Sequence, residues 1–499
     1  MVVKVRYAPS PTGSPHVGNL RTAIYDWLLA KREGGSFLVR LEDTDRSPER
    51  YAPESIADIE ESMRYLGILP DAWWVTGGSD APYVQSQRLP KYHLVIDRLL
   101  DSGHAYKCFC TKERLEKMRQ EQQERGVPSG YDRRCRNLPP SDMERYTAEG
   151  LPFVVRLKMP LEGTCHLNDP IRGDITNEYR LQDDQVLLKS DGFPTYFLAA
   201  TVDDHLMGVT HVLRGEEWLG SAPKMIHLYE VLGWEVPVIA HLPVILGSDR
   251  KKLSKRHGAT NFRWFIEQGY LPEALVNFLV LLGWSTGEEN REILSVNEII
   301  DRFSLDGITE HPAIFDYEKL KWMNGYYIRQ SEPGRIIGLC IPYLIRAGLL
   351  SNPPTTEEIG YARRIIPLEQ ERMKTLSEVV DLVGFFFEEL NFPQGYDEKA
   401  VSKWLTVSHI QALLEQEIVA FDALPVWNSA SLEQATRAVT ETLGVKFAEV
   451  VHPTRVATTG RTVGPGLFET LEALGKDRTL DRLRTVSKRI EQSSTAVSL

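Results

Sequence analysis

The order of patterns at the start of the chain constrains the fold more than any other feature. Val3-Lys4-Val5-Arg6-Tyr7 alternates apolar and polar residues, as a half-buried strand does. The Pro- and Gly-rich run Ala8-Pro9-Ser10-Pro11-Thr12-Gly13 breaks it. Leu20, Ala23, Ile24, Trp27 and Leu28 then recur on one helical face. A second strand, Phe37-Leu38-Val39-Arg40-Leu41, runs into the acidic segment Glu42-Asp43-Thr44-Asp45. Parallel neighbours need a crossover, and a helix is the usual one. Strand, turn, helix, strand therefore predicts an α/β fold on a parallel sheet. Sheets of that kind bind ligands beyond the carboxyl ends of their strands. The loop after Tyr7 and the acidic segment after Leu41 are the first places to look for a site.

The pattern changes after Tyr106, where charge, Pro, Gly and three cysteines accumulate. We read an insertion at 106–190 between two halves of the parallel-sheet domain, 1–105 and 191–325. In the second half, Val209 to Arg214 and Val238 to Leu246 read as strands. From 326 to 499 the chain reads as helical, with Arg335 to Gly348, Met373 to Glu388 and Leu432 to Leu443 as helices. The small polar tail from Gln492 is expected to fray. A chain of 499 residues has room for two to four domains.

Five cysteines in so long a chain do not make a disulfide framework. Cys108, Cys110 and Cys135 lie close together, which suits a metal site. The opening strand leaves no room for a signal peptide. The most apolar stretch, Ala274 to Trp284, is too short to span a bilayer. We expect no membrane span and a cytoplasmic location. The net charge of -11 argues against a protein that coats nucleic acid. It leaves room for an enzyme that grips one RNA through local basic patches and shape.

Two segments carry chemistry. The first continues from the opening turn through Ser14-Pro15-His16-Val17-Gly18-Asn19 into the first helix. Gly18 admits a ligand close to the backbone. The helix N-terminus presents N–H groups and partial positive charge, which suit phosphate, and His16 can add a hydrogen bond to a phosphoryl oxygen. The competing reading makes His16 a helix cap in a tight turn. The second segment is Lys251-Lys252-Leu253-Ser254-Lys255-Arg256-His257-Gly258, a crowd of cations in a glycine-ended loop. Most basic runs are solvated faces. This one follows a buried strand of a parallel sheet, which favours a ligand-binding role.

Together these segments resemble the signature loops of class I aminoacyl-tRNA synthetases. The likeness extends along nearly the whole chain. Arg6-x-Ala8-Pro9-Ser10-Pro11-Thr12-Gly13, Leu41-Glu42-Asp43-Thr44-Asp45, Pro194-Thr195-Tyr196, Val202-Asp203-Asp204-His205, Arg214-Gly215-Glu216-Glu217-Trp218 and Gly464-Pro465-Gly466-Leu467-Phe468 are similar to the bacterial glutamyl-tRNA synthetase family. The resemblance implies a Rossmann-like catalytic domain with an inserted acceptor-binding subdomain, followed by an all-α anticodon-binding region. It implies ATP with Mg²⁺, L-glutamate and tRNA(Glu) as substrates of a monomeric enzyme, with the charging of tRNA(Gln) left open.

The same resemblance assigns residues. Pro9, Ser10, His16, Gly18, Asn19, Lys252, Leu253, Ser254, Lys255 and Arg256 would hold ATP. His16, Gly18, Lys252, Ser254 and Lys255 would carry the chemistry, because adenylate formation needs alignment and neutralised phosphoryl charge rather than covalent help. Arg6, Ala8, Ser10, Glu42, Tyr196 and Arg214 would hold glutamate, with Glu42 on the ammonium and an arginine on the side-chain carboxylate. Glutamine would leave that buried guanidinium unpaired. The family's optional zinc site ends Cys-x-His, and Asn137 stands where the histidine would be. Related proteins use a tyrosine, so zinc is expected on Cys108, Cys110, Tyr131 and Cys135, the alternative being a relic site held by packing.

In the helical region Arg363, Arg364, Arg372 and Lys374 are candidates for RNA contact, whereas Trp404 and Trp427 are expected in the core. A glutamyl-queuosine enzyme would lack this region, and a glutaminyl enzyme would end in β-barrels. A small-molecule nucleotidyltransferase would not explain Arg6, Glu42 and Arg214 together.

Overall fold

The computed structural model describes residues 2–497 except 255, 257, 259, 289, 290 and 408, with side chains as far as 492. The chain forms two units, Met1–Ile266 with Pro272–Tyr317, and Glu267–Leu271 with Glu318–Leu499.

The first unit is built as the opening pattern requires. Strands Lys4–Tyr7 and Ser36–Val39 pair in parallel, with Val5 opposite Phe37 and Tyr7 opposite Val39. Helix Val17–Arg32 makes the crossover, and its buried face includes Leu20, Ala23, Ile24, Trp27 and Leu28. A second parallel pair, His211–Gly215 with Val238–Leu242, lies alongside. Lys4 and Thr210 join the pairs: Lys4 N–H donates to Thr210 Oγ1 at 2.8 Å, and Thr210 N–H donates to Lys4 O at 2.8 Å. The strand expected over Val238 to Leu246 is broken by Pro243, which has no N–H for a ladder. Its remainder, Ile245–Leu246, pairs instead with Ala313–Ile314.

The insertion is an antiparallel sheet of Ala105–Cys108, Val154–Leu157 and Val186–Leu188, with a hairpin formed by Thr164–Asp169 and Gly173–Glu178. Burial alternates along Thr164–Asp169, so one face of the hairpin is covered.

The second unit is helical. Leu413, Leu414, Phe421, Leu432, Leu471 and Leu483 lie at the centre of its apolar core. Pro333–Arg346 and Ser429–Leu443 match two expected helices. The helix expected over Met373 to Glu388 is instead three short turns, Leu376–Glu378, Val379–Val383 and Gly384–Phe386. Thr375 and Glu378 form a capping box there, and Leu376 N–H donates to Gly269 O at 3.1 Å, so the winding restarts. Trp404 and Trp427 are half-buried against the core. Trp404 stacks on His452 with ring centroids 4.4 Å apart, and Trp427 Nε1 donates to Leu471 O at 3.0 Å. No helix among the described residues is long and apolar enough to cross a membrane.

Candidate active site

Beyond the carboxyl ends of Lys4–Tyr7 and His211–Gly215 lies a cavity of about 900 Å³, in the size range of a small-molecule site. Two loops form one side of it. Val17 N–H donates to Thr260 O at 3.1 Å, and Phe262 N–H donates to Pro15 O at 3.0 Å. These bonds stitch the segment after the basic loop to the segment around His16. The basic loop itself is a hairpin, closed by Gly247 N–H to Lys251 O at 2.8 Å and Leu253 N–H to Ile245 O at 2.9 Å. Arg250 turns it with a φ of 60°, a left-handed conformation costly for a non-glycine residue.

Pro9, Ser10, His16, Gly18, Asn19, Lys252, Leu253 and Ser254 all line this cavity. Lys252 Nζ lies 3.5 Å from Glu217 Oε1. Arg256 is not in the wall; it pairs with Asp249 at 3.7 Å on the outer side of the loop. Lys255 lies outside the described residues.

His16 caps the helix and still has a ring nitrogen left to donate. Its Nδ1 accepts from Gly18 N–H at 3.0 Å, capping helix Val17–Arg32. With Nδ1 an acceptor, the neutral ring carries its proton on Nε2, a donor for a phosphoryl oxygen. Burial and the neighbouring Lys252 push its pKa down, which keeps the ring neutral.

Arg6, Ala8, Ser10, Glu42, Tyr196 and Arg214 line the other half. Behind them is a buried charge network. Arg6 Nε lies 3.2 Å from both oxygens of Asp204. Arg40 bonds Asp204 at 2.7 Å and Glu42 at 3.0 Å. Asp203 is held by Arg88 at 2.6 Å, Tyr92 Oη at 2.7 Å and Gln85 Nε2 at 3.1 Å. Arg6, Arg40 and Arg88 thus balance Asp203, Asp204 and Glu42, the arrangement in which buried ions are tolerable. Burial pushes Asp204 up, but Arg6 and Arg40 outweigh it and hold the carboxyl below its usual range. For Glu42 burial wins over Arg40 and Arg6, and its pKa is raised.

Arg214 differs from Arg6. Its Nε donates to His241 Nε2 at 3.0 Å and its Nη1 faces the weak acceptor Met225 Sδ. Among the described residues its Nη2 is buried without a hydrogen-bond partner, and Arg214 forms no ion pair with a carboxylate, so it is a buried cation in the cavity wall. Burial lowers its pKa and Tyr196 opposes that, but a guanidinium keeps its charge at neutral pH. Tyr196 is fixed by packing on Trp218, with ring centroids 4.4 Å apart.

Sequence reasoning gave no role to Asp204, although it quoted the segment containing it. The available signal was two adjacent aspartates inside the mostly apolar helix Tyr196–Leu206. It also gave no role to Asp26, a fully buried wall residue whose two carboxylate oxygens have no hydrogen-bond partner among the described residues.

In the insertion, the sulfur atoms of Cys108, Cys110 and Cys135 lie within 4.8 Å of one another. Tyr131 Oη is 3.2 Å from Cys108 Sγ and 3.5 Å from Cys110 Sγ. Hydrogen bonding from Cys135 holds the Cys108 thiol well below its usual range, while Cys135 itself is raised. The four residues named from the sequence are therefore one cluster.

A family model described as the catalytic domain of class I tRNA synthetases (E and Q) matches residues 2–322, and an anticodon binding domain matches residues 335–487. The chain belongs to the class I tRNA synthetases of the E and Q type. It is 44% identical over 492 residues to a glutamate–tRNA ligase of Moorella thermoacetica, covering 98% of this chain and 99% of the other. A glutamate–tRNA ligase of Borreliella burgdorferi is 42% identical, with 97% and 98% covered. Among solved structures, a glutamate tRNA ligase from Elizabethkingia meningosepticum in complex with its amino acid superposes with a TM-score of 0.87 at 35% identity, covering 98% of this chain and 99% of that one. As a member of this family the chain is an aminoacyl-tRNA ligase. Its α/β catalytic domain and helical anticodon-binding region are those the sequence led us to expect.

Proposed function

We infer that the chain activates L-glutamate with ATP and transfers the glutamyl group to the 3′ end of tRNA(Glu), as a monomer in the cytoplasm where those substrates are. The observation that carries the amino-acid assignment is Arg214, a buried guanidinium in the cavity wall with no carboxylate among the described residues. The names of the similar proteins support the same reading.

In the first step an α-carboxylate oxygen of glutamate attacks the α-phosphorus of ATP, and pyrophosphate leaves with the bonding pair. The wall supplies alignment and charge. His16 Nε2–H and the N-terminus of helix Val17–Arg32 face the phosphates from one loop, and Lys252 from the other. Asp45 and Glu217 are the wall carboxylates that would hold Mg²⁺ brought in with the triphosphate, which would supply positive charge to the leaving group. Arg214 holds the side-chain carboxylate, with Tyr196 and Ser10 beside it. In the second step a terminal ribose hydroxyl of tRNA attacks the acyl carbon, and AMP departs.

Zinc on Cys108, Cys110, Tyr131 and Cys135 fits the donor set. A tetrahedral site with Zn–S near 2.3 Å separates its ligand atoms by about 3.8 Å. The contacts of 3.2 and 3.5 Å from Tyr131 Oη and 3.5 Å between Cys110 and Cys135 approach that spacing. The ion would close the fold of the insertion. Metal analysis of freshly purified protein is expected to find about one zinc per chain and none after Cys110→Ala. Protein without zinc would leave the cluster as packing alone.

The assigned activity is tested by aminoacylation of purified tRNA(Glu) and tRNA(Gln) with labelled glutamate and labelled glutamine. Glutamate is expected on tRNA(Glu), and glutamine on neither.

A further inference from the structure

Arg214 is oriented from outside the cavity. Its Nε donates to His241 Nε2 at 3.0 Å, and His241 Nδ1 lies 2.7 Å from Asp169 Oδ2. The three side chains are 5%, 0% and 1% exposed. His241 is not part of the cavity wall and so touches no substrate there. An imidazole that accepts on Nε2 must carry its proton on Nδ1, and a carboxylate at Nδ1 fixes that tautomer. Asp169 is itself held on all sides. Its Oδ1 accepts from Ile171 N–H at 2.8 Å and Arg172 N–H at 3.2 Å, and its Oδ2 also accepts from His241 N–H at 3.0 Å.

Asp169 belongs to the hairpin of the insertion, Arg214 to the parallel sheet. Arg172 fastens the same hairpin tip a second time, donating to His241 O at 3.3 Å and pairing with Glu216. His241 accepts from Arg214 Nε at 3.0 Å, and the Tyr196 hydroxyl is the other strong hydrogen-bonding neighbour of the guanidinium, thioether sulfur being weak. The imidazole, which holds Nε from outside the cavity, therefore helps to fix the plane of that guanidinium.

We propose that Asp169–His241–Arg214 is a positioning relay, through which the inserted hairpin at residues 164–178 holds the arginine in register with the carboxylate of the amino acid. The proposal rests on the reading that Arg214 binds that carboxylate. Loss of the imidazole leaves Arg214 in place but free to turn, so the damage falls on glutamate binding and spares ATP and tRNA.

The test is steady-state aminoacylation by the full chain carrying His241→Phe, His241→Gln, Arg214→Ala, or Arg214→Ala with His241→Phe. His241→Phe is expected to raise KM for glutamate roughly 30-fold, the scale of one hydrogen bond to a charged group, while KM for ATP and for tRNA change less than about 3-fold. His241→Gln, whose amide oxygen can accept from Arg214 Nε, recovers most of the loss. In the Arg214→Ala background His241→Phe adds nothing, because the residue it serves is gone. Equal rises in all three KM values, or a full effect of His241→Phe without Arg214, would overturn the relay. An Arg214→Ala enzyme with unchanged KM for glutamate would instead remove the assignment of Arg214, which His241→Phe cannot do by itself.

Discussion

Arg6 and Arg214 show how two residues of one type, named for one task, part company once their neighbours are known. Arg6 is already neutralised by Asp204, from which it is separated by 198 positions in sequence. Arg6→Ala would leave Asp204 leaning on Arg40 alone, and breaking a buried pair costs about 3–5 kcal/mol. Arg6→Ala is therefore expected to lower the melting temperature markedly. Arg214→Gln should leave it nearly unchanged while raising KM for glutamate, since no carboxylate loses its partner. Thermal unfolding alongside glutamate-dependent kinetics separates the two, and equal destabilisation by both would contradict the difference. His16 allows a similar separation. Asparagine can keep the helix cap but has no Nε2–H, so His16→Asn should stay within about 0.5 kcal/mol of the parent in stability yet lose roughly a hundredfold in kcat. His16→Ala loses the cap as well, at a further cost of about 1 kcal/mol. A His16→Asn enzyme with full activity would make His16 a cap only. That most of the motif residues would gather on one cavity wall was legible because they come in short Pro-, Gly- or charge-rich runs at strand ends. Asp204, Asp26 and His241 were not, because their significance lies in burial and in partners brought together by strands remote in sequence.

Among the elements, the opening strand, helix and strand were readable because each is short, strongly patterned and punctuated by Pro or Gly. The segment Met373 to Glu388 was misread because its apolar spacing suits a helix, whereas Thr375 and a distant carbonyl, Gly269 O, divert its backbone bonds. Helix Ile410–Asp422 carries a feature with a pH signature. Glu417 on it is fully buried, and among the described residues only the hydroxyls of Thr436 and Thr454 donate to its carboxyl. Burial, partly offset by those hydroxyls, pushes its pKa up to about 7. Its unfolded value is near 4.3, so between there and neutrality the folded chain keeps a proton that the unfolded chain has lost. Stability from this group is thus fully present at low pH and is lost as pH rises through about 7, a total of about 4 kcal/mol. Glu417→Gln removes the dependence. Denaturant unfolding should show the variant gaining on the parent from about pH 5 to about pH 8. A gain independent of pH would mean that Glu417 is not protonated in the fold.

For the molecule as a whole, the sequence order of α/β domain, insertion and helical region was legible because each stretch has its own periodicity. The meeting of the His16 loop with the basic loop was not, since it depends on backbone bonds between residues 15–17 and 260–262. That meeting places His16, Lys252 and a buried arginine around one cavity. It predicts strong discrimination against glutamine, because the neutral amide would leave Arg214 without its anion. The ratio of kcat/KM for glutamate over glutamine should exceed roughly 10⁴, as for other sites built around an obligatory polar partner. The most direct measurement is a crystal structure of the chain with a non-hydrolysable glutamyl-adenylate analogue. The account predicts the phosphate mimic between His16 and Lys252, and the side-chain carboxylate about 3 Å from Arg214. A carboxylate held by Arg6 alone, or an analogue seated outside this cavity, would contradict it.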